Sequence, residues 1–336
     1  MKINWIKKLV PAGKLLLAAV IIILLVSKAD VKNLLKSDLD NSILLAALLL
    51  ILLQNLLGAL RWWSLLNCAG IKIPFGRALS ITMQGIFWMM FLPGGTLGGD
   101  VVKATLAVQN INKNLQPQAA LSVLIDRICG CCGMALFAMT VSIVFLVGKF
   151  YPESIELRYL LSAAALLSPL ILLAAVFFIC CGFFMEKSQF FCRIINWSNR
   201  ISKGLVCRIL EALNSYRAAW HKCLLWSVVS GVIGFPLFSA ALFCINAALP
   251  GGLSADKASG AAALVCGSVG ELSGLLPLTP GGIGVRDAVF CFIYNAFGAA
   301  EEAVAVQIPL IFTALTVIAS LVGGVFALGM LLRKKR

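Results

Sequence analysis

Pro93-Gly94-Gly95-Thr96-Leu97-Gly98-Gly99-Asp100-Val101-Val102 recurs, without a gap, as Pro280-Gly281-Gly282-Ile283-Gly284-Val285-Arg286-Asp287-Ala288-Val289. Both copies fit Pro-Gly-Gly-x4-Asp-x-Val. Each follows an apolar run (Ile86 to Pro93; Leu272 to Pro280) and precedes a stretch with helical patterning. Proline and glycine break helices. Breaks at matching places in two halves of an apolar chain point to a binding site between the repeats of a transporter.

The surrounding chain is that of a membrane protein. Of 336 residues, 61% are hydrophobic and 12% charged, and the mean hydropathy is +0.98. A soluble domain of this length carries about twice that share of charge. A spanning helix needs about 20 mainly apolar residues. Six runs qualify, at 10–27, 42–60, 124–148, 159–181, 223–249 and 303–332. Two more apolar stretches, 76–110 and 258–298, are each interrupted by the Pro-Gly-Gly phrase. The fold class read from this pattern is an all-α polytopic membrane protein. It has six spanning helices plus two re-entrant helical hairpins.

Charge sets the expected orientation. The net charge of +14 comes from basic residues scattered through loops beside apolar helices. That is the positive-inside bias of a membrane protein, not a nucleic-acid surface. With the N-terminus in the cytoplasm and both broken segments read as hairpins, every basic cluster falls inside. These clusters include the 182–222 loop (Lys187, Arg193, Arg200, Lys203, Arg208, Arg217, Lys222) and the C-terminal Arg333-Lys334-Lys335-Arg336. Reading each broken segment as one full span would export the basic loop. The N-terminal lysines ahead of the apolar stretch 15–26 resemble the opening of a signal peptide, and a retained first span fits the same bookkeeping.

Three spans separate the hairpins, so the hairpins enter from opposite faces. The chain then divides into a first repeat, 1–148, of two spans, a hairpin and a span. The second, inverted repeat, 155–336, begins with a span, then the basic interfacial segment 182–222, then a span, a hairpin and a span. Phe190, Phe191, Ile194, Ile195 and Trp197 among the charges of 182–222 read as helices lying on the membrane surface.

Irregular backbone at membrane depth persists only where protein or a water-filled cavity satisfies it. Gly94, Gly95, Gly98 and Gly99 permit tight turns and close approach, as do Gly281, Gly282 and Gly284. The helix after each turn would aim its N-terminus at the bilayer centre, where free N–H groups and the helix dipole attract an anion. A lipid phosphate is the expected guest. The alternative is that Asp100 and Asp287 cap those helices while the glycines only pack.

Charged residues inside a membrane are costly and usually functional. Asp100 and Asp287 hold equivalent repeat positions, and Arg286 adds a cation beside the second. Lys103 follows Asp100 by three residues, so one helix face can carry both. Asp126 and Arg127 are helix neighbours that do not face each other. Each therefore needs another partner, with the hairpins as candidates and interfacial snorkelling as the alternative. Glu271 stands alone in an apolar arm and would carry a proton or bond Ser268 or Ser273. Arg61 closes the second span as a candidate headgroup ligand, and Trp62 and Trp63 beside it read as an interfacial belt.

The stretches Pro93 to Ala104 (PGGTLGGDVVKA), Ser122 to Gly130 (SVLIDRICG) and Glu271 to Asp287 (ELSGLLPLTPGGIGVRD) resemble a known family. It is the stand-alone lysylphosphatidylglycerol synthase transmembrane family, the flippase-domain family of the multiple peptide resistance factor. The resemblance runs from about the second span to the C-terminus. It implies a membrane protein that moves lipids or lipid-linked groups between leaflets. Family members more often carry Arg in place of Lys103 and Glu in place of Asp287. Both swaps keep the charge, but lysine lacks the bidentate fork of arginine. The chain ends at Arg336 without the soluble aminoacyl-transfer domain of the synthase, so lysyl transfer is not implied.

The reading from sequence is thus a lipid translocase of the bacterial inner membrane, with both termini cytoplasmic. It would hold a phosphate-bearing headgroup at a midplane site between the hairpins and expose it to each side in turn. No His cluster, nucleophile elbow, metal constellation or ATP-binding phrase is present. No enzyme activity, cofactor or metal is expected, and motion would be downhill or ion-coupled. The expected partners are anionic or phosphate-bearing membrane lipids. A second copy of the chain, or a separate lipid-modifying enzyme, stays open as a protein partner. The other readings are a membrane partner subunit, an integral-membrane enzyme of a lipid-modifying pathway, and a transporter for a small soluble anion.

Overall fold

The computed structural model describes residues 39–92, 96–109, 111–150, 154–184, 216–250, 257–274, 284–299 and 302–334. The expected first span (10–27), residues 185–215 of the basic segment, and both Pro-Gly-Gly turns lie outside them. Among the described residues the regular structure is entirely helical. Five helices are long and apolar enough to cross a membrane.

Helix α1 (Asn41–Cys68) opens on Asp40, whose side chain accepts from the backbone N–H groups of Ser42 and Ile43. These are two of the donors that a helix start leaves without partners. Then come α2 (Phe75–Phe91) and α3 (Thr96–Val108), which flank the first Pro-Gly-Gly. A 3₁₀ turn (Lys113–Leu115) leads into α4 (Gln116–Gly148), where Pro117 sits in the first turn and sacrifices no helical hydrogen bond. Helix α5 (Ile155–Phe184) follows.

The next span does not run as one regular α-helix, as 223–249 was expected to. It is α6 (Trp220–Val229), a widened π turn (Ser230–Gly234) and α7 (Phe235–Ala248). Pro236, at the start of α7, has no N–H for the carbonyl four residues back. A local widening is a common way to absorb such a break. Next are α8 (Lys257–Val265), a second π turn (Cys266–Gly270) and the short α9 (Glu271–Gly274), then α10 (Val285–Ala296) and α11 (Glu302–Lys334).

Both halves share one order: a span, a broken helix pair, a span. They also cross-pack. Helix α2 lies along α11, the last helix of the chain, while α8, α9 and the turn between them touch α4, the last span of the first half. Small residues allow these contacts, as membrane helix packing requires. A methyl group on Gly99 would sit 2.5 Å from the carbonyl oxygen of Gly85, so α2 and α3 meet backbone to backbone. The same is true of Gly133 on α4 and Gly231 in the π turn, where a methyl on Gly231 would lie 2.8 Å from Gly133 O.

Two apolar clusters result. One gathers Trp62, Leu65 and Leu66 of α1 with Ile81 of α2 and Ile125 and Cys129 of α4. The other gathers Ala47 and Ile51 of α1 with Phe145 of α4 and the buried faces of α7, α10 and α11. Along α1 the first cluster begins at Trp62 and the second ends at Ile51. The intervening stretch, 52–61, carries Gln54, Asn55 and Arg61.

Candidate functional site: a charged cavity beside the first broken segment

Gln54, Gly58 and Arg61 recur at helical spacing on α1, so they form one stripe, with Asn55 beside it. That stripe lines a cavity of about 200 Å³. Helix α2 contributes Thr82, Gly85, Ile86 and Met89 to its wall. Helix α3 contributes Gly99, Asp100 and Lys103, and α4 contributes Asp126 and Arg127.

Within it, α4 sends two adjacent side chains in different directions, as helix geometry demands. The carboxylate of Asp126 accepts from Arg61 Nε at 2.6 Å and from Lys103 Nζ at 2.8 Å. Arg127 donates from Nε and Nη2 to the two oxygens of Asp100, at 2.7 and 2.8 Å. This is the two-pronged geometry that makes arginine–carboxylate pairs strong and directional. Arg61 also donates from Nη1 to Ser230 Oγ at 2.8 Å, which ties α1 to the π turn. A methyl on Gly130 would sit 3.2 Å from the Arg61 guanidinium, so the bare α4 backbone makes room for it.

Trp62 sets the floor. It is fully buried, donates its indole N–H to Ser122 Oγ at 3.0 Å and lies beneath Lys103, whose Nζ is 4.4 Å from the ring centroid. The expected interfacial belt is therefore corrected at this residue: Trp62 packs in the interior under a cation. Trp63 is half-buried and donates to the carbonyl of Ile73 at 2.8 Å. Arg61 likewise does not end its helix, because α1 continues to Cys68. Its charge is matched by Asp126, far away in sequence.

Three cations and two carboxylates leave the cavity with one excess positive charge. Arg61 and Arg127 keep unused guanidinium N–H groups: Nη2 of Arg61 and Nη1 of Arg127 have no hydrogen bond among the described residues. A smaller cavity of about 90 Å³ also borders the Gln54–Gly58–Arg61 stripe, with Leu57, Trp226, Val229, Ser230, Gly234 and Phe235 completing its wall. Arg61 borders both.

Glu271, Arg286 and Asp287 form a separate group. Asp287 accepts from the backbone N–H of Gly284 at 3.0 Å and from Thr313 Oγ1 at 3.0 Å. It thus caps the start of α10, where Gly284 holds a φ of 92° that side-chain-bearing residues rarely adopt. Arg286 donates to Thr313 Oγ1 at 3.1 Å, lies 3.6 Å from Glu271 Oε1, and stacks over Phe312 at 4.9 Å. Ser268 and Ser273 donate to backbone carbonyls instead of Glu271.

The sequence reading placed the guest between the two broken segments. Among the described residues the 200 Å³ cavity is lined by α1 to α4, and Glu271, Arg286 and Asp287 are not in its wall; both Pro-Gly-Gly turns lie outside the described residues. Of the glycines, Gly99 lines the cavity and Gly98 does not. Gly94, Gly95, Gly281 and Gly282 lie outside the described residues. The two repeat-equivalent aspartates also differ, since Asp287 caps its helix and Asp100 holds Arg127. Sequence reasoning missed Gln54, Asn55, Gly58, Thr82 and Ser230. The available signal was the spacing of Gln54, Gly58 and Arg61 on one face of an apolar helix.

An all-helical, multi-pass arrangement of apolar helices around buried ion pairs defines an integral membrane protein. The family model described as the lysylphosphatidylglycerol synthase TM region matches residues 12–324, and the chain belongs to that lipid-related family. No curated protein and no solved structure matches it.

Proposed function

We propose that this protein is a lipid translocase that binds the phosphate of a lipid or lipid-linked headgroup in the cavity between α1, α2, α3 and α4. The observation that carries the reading is the excess cation. Arg61, Lys103 and Arg127 outnumber Asp100 and Asp126 around a cavity set among apolar helices. A buried site with an unbalanced positive charge and unused guanidinium donors is completed by one anion. The smaller cavity on the far side of Arg61 has apolar side chains, Leu57, Trp226, Val229 and Phe235, beside the polar Gln54 and Ser230, which supports an amphiphile as the guest.

On this reading Arg61 and Arg127 contact the phosphate. Asp126 and Asp100 orient those guanidinium groups and keep the empty site stable. Lys103, shielded over Trp62, adds field. The order of elements in the two halves, and their cross-packing, support an inverted repeat with re-entrant segments that exposes the site to each leaflet in turn. The chain acts as a transporter without chemical change to the lipid, in a bacterial inner membrane with both termini cytoplasmic.

The experiment is reconstitution in liposomes containing acyl-labelled phospholipids, with movement read by chemical quenching of the outer leaflet. Wild type is expected to move anionic phospholipid. Arg61→Gln and Arg127→Gln variants that remain folded are expected to lose about tenfold or more in rate, the scale of removing a charge-assisted hydrogen bond. Chemical conversion of the lipid by the protein alone, or wild-type rates equal to protein-free liposomes, would overturn the reading.

A further inference from the structure

We propose that Glu271 is the proton-binding group of a second site, in the later half of the chain, and that the protein takes up a proton there with each anion bound in the first cavity. This rests on the phosphate site proposed above and names the ion that travels with its guest.

The first observation is the register of the two halves. Gln84, Asp100 and Asp126 stand 187 residues before Glu271, Asp287 and Thr313, the interval between the two Pro-Gly-Gly phrases. The ends of α3 and α4 recur in α10 and α11 within two residues of that interval. Glu271 therefore occupies the place that a neutral amide holds in the first half. Gln84 is buried there and donates from Nε2 to Ser80 Oγ at 3.1 Å. A glutamic acid carrying its proton has nearly the shape of that amide and, like it, both donates and accepts. Thr313 likewise stands in place of the buried carboxylate of Asp126, so the second half has lost one acid and gained another.

The second observation is how loosely Glu271 is held. Among the described residues the charged groups around it are Arg286 and Asp287, both on α10, while the π turn (Cys266–Gly270) and α4, which also pack on α9, add none. Two carboxylates against one guanidinium leave one excess negative charge. Asp287 is fixed by the Gly284 N–H and the Thr313 hydroxyl. Glu271 has no such support: its Oε1 is buried, accepts no hydrogen bond, and comes only within 3.6 Å of Arg286 Nη1. Arg286 is itself buried, and its Nε has no acceptor. The ion pairs of the first cavity are closed at 2.6–2.8 Å. A buried carboxylate without its hydrogen bonds is costly, and one proton on Glu271 cancels the excess charge. A hard metal cation, which needs several free oxygens, finds those of Asp287 taken and a guanidinium beside Glu271.

The third is that the two groups have opposite imbalances. The first cavity carries one positive charge in excess and the Glu271 group one negative. One bound phosphodiester and one bound proton bring both to neutrality. The loaded protein then rearranges without carrying net charge through a medium where charge is costly. Helix α4 joins the two groups physically, since it bears Asp126 and Arg127 and touches both α9 and the π turn before it.

The test uses the purified full-length protein in weakly buffered solution, with dioctanoyl phosphatidylglycerol as a singly charged probe. A phosphodiester keeps its charge throughout the neutral range, so a proton taken up on binding enters the protein. Wild type is expected to take up a maximum of about one proton per bound probe across the pH range from about 5 to 9. In liposomes, a pH difference of about one unit is expected to draw trace acyl-labelled phospholipid about tenfold toward the alkaline leaflet, the ratio that one proton per lipid sets. Glu271→Gln fixes the neutral form and is expected to abolish both the uptake and the bias, whereas Glu271→Asp keeps the uptake. Glu271→Ala provides a second neutral variant should Glu271→Gln not fold. No uptake by wild type, uptake untouched in the neutral variants, a bias toward the acidic leaflet, or one that follows a sodium gradient overturns the proposal. Uptake on binding without movement in liposomes would sink the translocase reading and leave the proton site standing. Movement without uptake or pH bias would do the reverse, and a probe that does not bind at all would remove the phosphate site and this proposal with it.

Discussion

Arg127 holds Asp100 through two hydrogen bonds, of 2.7 and 2.8 Å, and so fastens α4 to the turn of α3 that follows the first Pro-Gly-Gly. The pair is partly open to the cavity, with the Arg127 side chain 41% exposed. Solvent screening therefore limits its worth to stability. A double-mutant cycle with Asp100→Asn and Arg127→Gln is expected to give a coupling of about 1 kcal/mol. Unfolding of the purified protein measures it, and a coupling near zero would mean that the two groups do not hold each other in the ligand-free protein.

Asp126 stands differently, because it is enclosed and faces two cations at once. Its removal leaves Arg61 and Lys103 close together without a counter-charge. Asp126→Ala is expected to destabilise by about 3–5 kcal/mol, the range for breaking a buried pair from one side. Lys103→Met removes a cation from a cluster that has one in excess, and is expected to cost clearly less. Thermal unfolding of the two variants side by side gives the order. A larger loss for Lys103→Met would contradict the charge count of the cavity.

The glycine contacts allow a sharper contrast. Gly99→Ala would drive a methyl group into the Gly85 carbonyl, whereas a methyl on Gly58 meets nothing within 4 Å. Gly99→Ala is expected to destabilise by about 1–3 kcal/mol, as overpacking does. Gly58→Ala is expected to be neutral or slightly stabilising, since alanine favours the helix. Unfolding midpoints decide it, and equal effects at the two sites would show that α2 and α3 do not meet as closely as described.

Asp40 gives a pH signature outside the membrane-spanning segments. The Ser42 hydroxyl, with the Ile43 and Ser42 amides, holds its carboxyl below the usual value of 3.8. A carboxyl lowered in the folded state stabilises above its unfolded value, and that contribution fades as pH falls through the folded value. The difference in midpoint between wild type and Asp40→Ala is therefore expected to be constant above about pH 5 and to shrink below about pH 4. A difference that grows on acidification would reverse the assignment.

The course of the helices was legible because hydropathy and helix breakers are local signals. The repeated Pro-Gly-Gly marked α2, α3 and α10, and the apolar runs marked α1, α4, α5, α7 and α11. What escaped depended on partners distant in sequence. Arg61 read as a headgroup ligand beyond the second span, and its partner Asp126, 65 residues away, could not be seen from local sequence. Trp62 read as a surface residue for the same reason: its hydrogen-bond acceptor, Ser122, lies on another helix. Gln54, Asn55 and Thr82 were passed over because they are isolated and uncharged within long apolar runs. The widening at Ser230–Gly234 had a visible cause in Pro236, although only the Gly133–Gly231 contact shows why it is useful there.

Helix α2 touches bare backbone on two flanks. Gly99 meets it from α3, and Gly323 brings α11 against the carbonyl of Met83. Three helices joined without intervening side chains form a slab with little room to shear. Any motion that opens the cavity must then take place where longer side chains separate the helices, at α1 and α4. There Arg61, Asp126 and Arg127 span the seam, and the groups that would grip the guest would also be the latch that the guest releases.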